Sequence, residues 1–334
     1  MFAIVFHPDG KHLLGGGGDG IRRWRLGDGQ EVGRQTGMTN INTIAASSNH
    51  KWVVCGADEG ASVWDAELHE KVIHVEGTKQ VAAVDVSPDS TRFATGIGGE
   101  ASVWSMTSGE RLLGPLVIYH HDVTGIRFSP NGEQIATFSF GGLLRIFDSR
   151  NGDEVITITT VSPPKWITTP LAWSNDAHYI FTVPGDYMIK SFAVSTGAQI
   201  AESPILDDCE SIALAPNGKF IATYAGCSIL FLDSSTLSPI VPAIEDKKNI
   251  RSIAISPDSS HVATGQTGGR LTVRNLGGIL PDSYSPVHVS VFPLTIFVAP
   301  LVCYTRHLLG KMYNQTRYIQ PRPPMTTNHP DLTQ

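Results

Sequence analysis

Short apolar runs alternate with polar or glycine-containing turns along most of the chain. Three segments show the pattern most clearly: VFHPDGKHLLGGGGDGIRRW, DVSPDSTRFATGIGGEASVW and RFSPNGEQIATFSFGGLLRIFD. Each contains an apolar strand, a turn with Pro followed by Asp or Asn, a second apolar strand, a glycine-rich turn and a third strand that ends near an aromatic residue. Residues 1–276 show no extended helical periodicity. The pattern therefore predicts an all-β chain.

The same unit returns at a nearly constant interval. The equivalent turn positions are Pro8, Ser48, Pro88, Pro130, Asn175, Pro216 and Pro257, separated by 40, 40, 42, 45, 41 and 41 residues. The first unit has room for four strands: Phe2–Phe6, His12–Gly16, Ile21–Leu26 and Gln30–Gln35. Short strands repeated about every 40 residues are typical of sheets arranged radially around an axis. We therefore predict a seven-bladed β-propeller of four-stranded antiparallel blades over residues 1–280, followed by a non-propeller tail over residues 281–334.

The glycine-rich stretch Gly15–Gly20 raises the question of a phosphate-binding loop. A phosphate loop of the GxxxxGK[ST] type requires Lys and Ser or Thr before a helix, and no such sequence is present. The equivalent positions of other units also carry glycine-rich turns, which need residues that tolerate positive φ. We interpret Gly15–Gly20 as a hairpin turn.

The repeats resemble those of the WD-repeat β-propeller family, over roughly residues 2–277. The resemblance rests on the Pro-Asp/Asn turns, on the second-strand Ala-Thr pairs and on the third-strand ends, of which only Val63-Trp64-Asp65 carries the full Trp-Asp pair. It is closest to divergent repeats of fungal regulatory proteins. The polar network that this family builds around its Trp is mostly missing here, so we expect apolar packing to hold the blades together.

Large side chains at the ends of the third strands are expected to pack between blades. These blade-packing residues are Trp24, Trp64, Trp104, Phe147, Phe192 and Phe231. Two arginines, Arg23 and Arg274, interrupt the apolar pattern in the first and last units, which become neighbours on ring closure. One interpretation is sequence drift at a weakly packed edge. The other is a polar closing seam, in which both arginines pair with acids such as Asp28, Glu31 or Asp282.

The tail contains an apolar segment, residues 287–304, without Asp, Glu, Lys or Arg. Its length approaches that of a membrane span, although His288, Pro293 and Pro300 weaken this interpretation. Alternatively, residues 287–292 supply the fourth strand of the seventh blade, followed by a disordered Pro-rich end. A terminus unrelated to the propeller is the third possibility.

Composition and motifs restrict the function. A formal net charge of −6 and a pI near 6.0 do not favour nucleic acid as a partner. The four cysteines show no CxxC spacing, which favours a cytoplasmic or nuclear protein with reduced thiols. No catalytic motif is present, and Asp85 is the only carboxylate on the predicted first strands. The His120-His121-Asp122 and Asp207-Asp208 loops are interpreted as solvated surface. We predict a non-enzyme without metal or cofactor.

The predicted function is a protein-interaction scaffold, monomeric within a larger complex. In the WD-repeat family, partners commonly bind the face formed by the turns between second and third strands and by the segments leading into the first strands. That implication gives the candidate partner-binding residues Phe140, Trp166, Tyr187, Lys79, His120, His121, Asp186 and Lys247. The three aromatic residues are the preferred anchors. The alternative is the sensing part of a fungal signalling protein that lacks its nucleotide-hydrolysing domain.

Overall fold

The computed structural model describes residues 3–77, 79–117, 121–160, 171–204, 206, 209, 211–246, 248–284 and 294–296. The chain divides into two units, Met1–Val302 and Cys303–Gln334, and the second unit lies outside the described residues. The described part contains 28 strands and no helix. These strands form seven four-stranded antiparallel sheets, which confirms the predicted seven-bladed propeller.

Each blade uses four consecutive strands in chain order. The strands are β1 Ala3–Phe6, β2 His12–Gly17, β3 Gly20–Arg25 and β4 Glu31–Gln35 in the first blade; β5 Thr43–Ala46, β6 Trp52–Ala57, β7 Gly60–Asp65 and β8 Lys71–Glu76 in the second; β9 Val81–Val86, β10 Arg92–Ile97, β11 Glu100–Ser105 and β12 Arg111–Val117 in the third; β13 Val123–Phe128, β14 Gln134–Ser139, β15 Leu143–Asp148 and β16 Glu154–Thr159 in the fourth; β17 Leu171–Trp173, β18 Tyr179–Thr182, β19 Lys190–Ala193 and β20 Gln199–Glu202 in the fifth; β21 Ile212–Leu214, β22 Phe220–Ala225, β23 Ser228–Asp233 and β24 Ile244–Glu245 in the sixth; and β25 Ile250–Ile255, β26 His261–Gln266, β27 Leu271–Asn275 and β28 Leu294–Ile296 in the seventh.

The first strand of every blade contacts the first strands of both neighbouring blades, so these strands form a closed ring around the axis. Because the strands are antiparallel, their connections emerge on two opposite faces. We call the face with the second-to-third-strand turns and the segments leading into the first strands the upper face. The lower face carries the first-to-second-strand and third-to-fourth-strand turns.

The first-to-second-strand turn has the same backbone in all seven blades. One residue in each turn has a positive φ between 59° and 74°. These residues are Gly10, His50, Ser90, Gly132, Ala177, Gly218 and Ser259. The repeat is therefore conserved in backbone geometry even where glycine has been replaced.

Buried apolar side chains of the described residues form seven clusters, one at each junction between adjacent blades. Five of the predicted packing residues, Trp24, Trp64, Trp104, Phe147 and Phe192, contact the preceding blade. Phe231 is fully buried but packs with Ile250 and Val262 of the following blade. Its neighbour Leu232 occupies the position equivalent to the other aromatics, opposite Ile221 on β22.

The two arginines do not lie at the closing seam, which corrects the polar-seam interpretation. Successive strand residues point to opposite faces of a sheet. Trp24 therefore faces the seventh blade, whereas Arg23 faces the second blade and pairs with Glu67. Arg274 pairs with the buried Asp246, at 3.0 Å, in the segment between the sixth and seventh blades.

The seam between the first and seventh blades is instead apolar. Trp24 and Leu13 of the first blade pack there with Leu271 and Val273 of the seventh. The four strands of each blade are consecutive in the chain, so the ring closes without a strand shared between its ends. Apolar packing is therefore the contact that closes the ring.

The fourth strand of the seventh blade comes from the predicted apolar tail segment. Leu294–Ile296 pairs with β27 from Leu271 to Val273. Residues 287–292, the predicted fourth strand, lie outside the described residues, as does most of the apolar segment. Among the described residues, no helix has the length and apolar character needed to cross a bilayer.

Candidate functional site

The upper face carries five of the predicted partner-binding residues that the structure describes: Lys79, His121, Phe140, Asp186 and Tyr187. They belong to the third, fourth and fifth blades, so they occupy one sector of the ring. Trp166, His120 and Lys247 lie outside the described residues.

Lys79 and His121 occupy equivalent places, two residues before the first strands of the third and fourth blades. Each side chain lies across a glycine of its own blade's upper turn. A Cβ on Gly98 would approach the Lys79 side chain to 2.9 Å, and a Cβ on Gly141 would approach the His121 ring to 2.4 Å. The Lys79 Nζ is 4.0 Å from the Asp122 carboxylate, and both side chains are about two-thirds exposed. Because solvent screens the attraction between these exposed groups, little energy is needed to separate the two side chains, and each can contact another molecule.

Phe140 lies half-buried in the upper turn of the fourth blade, and its backbone N–H donates to the Asp122 carbonyl at 2.9 Å. In the fifth blade, Asp186 pairs with the largely buried Lys190 ammonium. The aspartate is therefore fixed by its own blade. Beside it, the backbone carbonyl of the half-buried Tyr187 accepts a hydrogen bond from the Leu206 N–H at 2.8 Å.

Tyr187 has the backbone conformation of a glycine, with a φ of 61°. The corresponding turns of the other six blades place only glycine at positive φ: Gly20, Gly60, Gly98, Gly142, Gly226, Gly268 and Gly269. A bulky residue in this region costs about 1–2 kcal/mol. Residues other than glycine also have positive φ at Asn40, Leu68 and Leu237 and at four lower turns, so Tyr187 is distinguished by its place in an upper turn. The sequence suggested Tyr187 because it is aromatic and lies in a predicted second-to-third-strand turn, but its strain follows from a turn geometry that the sequence does not reveal.

The lower opening of the central channel was not predicted from the sequence. A cavity of about 330 Å³ lies among the lower turns. Its lining residues are Phe6, Pro8, Ala46, Ser48, Val86, Ser87, Pro88, Pro216, Ile255 and Pro257. Four of the five prolines at the repeat positions therefore form an apolar rim. At the two non-proline positions, Ser48 and Asn175 donate side-chain hydrogen bonds to the carbonyls of Pro88 and Pro216, both at 2.7 Å.

Asp85 is engaged by its neighbours on the inner strands. Its carboxylate lies 3.0 Å from the Arg127 guanidinium and accepts the Phe128 backbone N–H at 2.8 Å. Burial raises the pKa of Asp85, and the Arg127 charge only partly opposes this effect. The group therefore supports the inner ring.

The described residues also contain one cluster with metal-ligand chemistry, formed by His7, Asp9 and His12 on the lower face of the first blade. Its HxDxxH spacing was visible in the sequence. The sequence pattern accounts for these residues only as the Pro-Asp turn of the repeat, because Pro-Asp occurs in several units.

Comparisons with known proteins agree with this fold. Residues 29–65 and 115–148 match the model of the WD domain, G-beta repeat. The human echinoderm microtubule-associated protein-like 3 is 22% identical over 46% of this chain and 17% of its own length. WD repeat-containing protein 82 of Drosophila melanogaster is 26% identical over 43% of this chain and 47% of its own. The chain thus spans less than half the length of these curated relatives.

Solved structures with the same architecture cover most of the chain. The β-propeller domain of Cps50 (Swd1) from Myceliophteria thermophila superimposes with a TM-score of 0.71 at 16% identity, over 82% of this chain and 96% of that chain. U3-55K gives 0.69 at 14% identity, over 79% and 88%. The molecule is a seven-bladed β-propeller. Two of its segments match the WD-repeat model, and the predicted likeness to fungal regulatory proteins stays a prediction.

Proposed function

We propose that this chain is a non-catalytic scaffold that binds a protein partner through the upper face of its third to fifth blades. The strained backbone of Tyr187 is the observation that supports this proposal most directly. A glycine would fill the same turn without strain, as in the other six blades. A side chain kept at a cost of about 1–2 kcal/mol is expected to contribute elsewhere, and a partner surface is the natural place.

The neighbouring residues fit such an interface. Phe140 and Tyr187 supply aromatic surface, and rigid aromatic side chains commonly dominate interface energies. Lys79 and Asp122 supply exposed charges that can set the orientation of a partner and its rate of association, and His121 adds an exposed imidazole. Trp166 stays a predicted third anchor. The alternative function, the sensing part of a signalling protein, would require a nucleotide-binding segment in a longer protein that includes this chain.

The test is affinity capture from an extract of cells that express the chain, with four baits. These are the intact chain, Tyr187→Gly, Phe140→Ala and the matched control Ile200→Ala, whose side chain is 54% exposed on the outer strand β20. Tyr187→Gly relieves the turn, so it should melt above the intact chain while losing partners. This combination separates a lost contact from a lost fold.

Support requires a partner that is held by the intact chain and by Ile200→Ala but lost by Tyr187→Gly and Phe140→Ala. Equal capture by all four baits would place the interface elsewhere and overturn the proposal. A failure of every bait to capture a partner would equally contradict a scaffold function.

A further inference from the structure

The lower turns reveal a chemical difference in the first blade. In five other blades a serine starts this turn, and its hydroxyl accepts the backbone N–H of the residue five positions later at 2.8–2.9 Å. The same hydroxyls donate to the Asp or Asn two positions later, at 2.5–2.7 Å. These serines are Ser47, Ser87, Ser129, Ser174 and Ser256. The turn is therefore complete without a titratable side chain at this position.

The first blade has His7 in place of this serine and His12 five residues later. Both imidazoles approach the same oxygen of Asp9: His7 Nδ1 lies 3.0 Å and His12 Nδ1 2.7 Å from Oδ2. The other carboxylate oxygen, Oδ1, accepts the backbone N–H groups of Lys11 and His12 at 2.8 and 3.1 Å. The backbone thus fixes the carboxylate while Oδ2 faces two nitrogen ligands.

We propose that His7, Asp9 and His12 bind a divalent transition-metal cation of the zinc type. The three ligand atoms all lie within 4.8 Å of one another. Tetrahedral zinc holds nitrogen and oxygen ligands at about 2.0–2.2 Å, so its ligands are roughly 3.3 Å apart. The two nitrogen-to-Oδ2 separations, 3.0 and 2.7 Å, are a few tenths of an ångström shorter than this value, so entry of a metal requires the side chains to move slightly apart. Two imidazoles and one carboxylate favour zinc or a similar transition metal over magnesium or calcium, which prefer oxygen ligands.

Two features limit the expected affinity. The Arg23 guanidinium lies 3.2 Å from His12 Nδ1, so its charge opposes a cation there. The buried Nε2 of His7 has no hydrogen-bond partner within the part of the chain that the structure describes, whereas ligand histidines usually donate from their second nitrogen. With three protein ligands, the fourth position is left for water or for a group from a partner. We therefore expect weaker binding than in a closed four-ligand structural site.

The repeats supply substitutions that the fold already accepts. His7→Ser introduces the serine of the other turns, and His12→Gln introduces the residue that the fourth blade carries as Gln134. Arg23→Val introduces the residue found equivalently at Val63 and Val103. The matched control is His261→Gln, because His261 occupies the same position in the seventh-blade turn, where Ser256 replaces the first histidine.

The experiment is calorimetric titration of the full chain with zinc chloride, together with the absorption spectrum of the cobalt-loaded chain. We expect a site filled by one equivalent of metal and a tetrahedral cobalt spectrum. His7→Ser and His12→Gln should each weaken this site by at least about tenfold, since even the loss of an outer-shell partner costs 10- to 100-fold. His261→Gln should leave the site unchanged, and Arg23→Val should strengthen it severalfold.

Thermal unfolding in the presence of zinc tests the site independently of the titration, because a ligand that binds the folded state raises Tm. The rise should occur in the intact chain and in His261→Gln but not in His7→Ser, which should melt normally without zinc. Equal zinc binding by the intact chain and His7→Ser would overturn the proposal and indicate adventitious binding to surface histidines. Absence of a stoichiometric site would also overturn it.

Discussion

The second and third blades share the third-strand sequence Ala-Ser-Val-Trp but differ in how they satisfy the tryptophan. In the third blade, Trp104 Nε1 donates to Thr95 Oγ1 on β10 at 2.9 Å. In the second blade, the residue equivalent to Thr95 is Cys55. Trp64 Nε1 is buried without a hydrogen bond to any nitrogen or oxygen that the structure describes. The identical tetrapeptide therefore does not determine whether its polar atom is satisfied.

The tryptophan that lacks the hydrogen bond is the more deeply buried of the two. Trp64 is only 4% exposed, whereas Trp104 is partly buried and stacks on Phe93 with ring centroids 6.4 Å apart. A basic side chain of the fourth strand lies 5.9 Å from each indole ring, Lys71 over Trp64 and Arg111 over Trp104. The second blade thus has the deeper burial and the third blade the hydrogen bond.

Removing each tryptophan shows which of these contributions dominates. We expect Trp64→Ala to lower the free energy of unfolding by about 3–5 kcal/mol, because it opens a cavity in a closely packed junction. Trp104→Ala should cost less, since less apolar surface is lost. Urea denaturation of both variants measures the difference. A larger loss for Trp104→Ala would mean that the indole hydrogen bond outweighs burial.

The upper turns of the same two blades provide the second test. Gly60 has a φ of 135°, and a Cβ there would lie 2.2 Å from the Val75 carbonyl oxygen. Its counterpart in the third blade is Glu100, whose blade places the positive φ on Gly98 instead. Gly60→Glu should destabilise by at least about 1–2 kcal/mol, from the backbone conformation alone.

The reverse exchange, Glu100→Gly, is the control and should cost no more than about 1 kcal/mol through added chain entropy. Thermal melting of the two variants provides the comparison. Similar losses for both would show that the turns are interchangeable, contrary to their different backbones.

The tryptophan hydrogen bond itself can be transferred between blades. Cys55→Thr should stabilise the second blade by about 0.5–1.5 kcal/mol, because the threonine hydroxyl can accept the Trp64 N–H. Burial raises the pKa of the Cys55 thiol to about 12, so the present side chain is a neutral and weak acceptor. Thr95→Val should destabilise the third blade by a comparable amount. If Cys55→Thr lowered the midpoint of urea unfolding, the added hydroxyl would not reach the indole.

Much of this architecture follows from the sequence because the repeat imposes the same strand and turn pattern seven times. The period located the blades, and the aromatic positions located five of the blade junctions correctly. Arg23 and Arg274 were misplaced because neighbouring units in the ring were equated with neighbouring side chains. A one-residue step along a strand reverses the face, so Arg23 meets Glu67 of the second blade rather than the seventh blade.

The candidate site is less accessible to sequence reasoning. Its aromatic residues could be named from the loops in which they occur, but the strain at Tyr187 depends on a turn that no motif encodes. His7 and His12 were visible at their spacing, yet their convergence on one oxygen of Asp9 depends on the folded turn. Features that repeat are predicted well from the sequence. The departures from the repeat carry the candidate chemistry, and their geometry is visible only in the folded structure.

The smallest expected difference concerns charge in the lower turns. Asn49 and Asp89 occupy equivalent positions and accept the same kind of hydrogen bonds, from Ser47 at 2.7 Å and from Ser87 at 2.6 Å. Burial opposes ionisation of Asp89, but hydrogen bonds from Ser87 and Thr91 outweigh it and lower its pKa. Its contribution to stability is therefore full above the unfolded pKa of about 3.9 and is lost as the pH falls through the lower folded value.

Asp89→Asn should remove this acid-sensitive part and leave a turn like that of the second blade. The expected result is a slightly smaller loss of unfolding free energy between pH 7 and pH 3 in the variant than in the intact chain, measured by urea denaturation at both pH values. Asn49→Asp is the reciprocal variant and should increase the loss. An unchanged acid dependence in both variants would mean that the turn holds a neutral side chain as well as a charged one, and that the two blades differ here only in sequence.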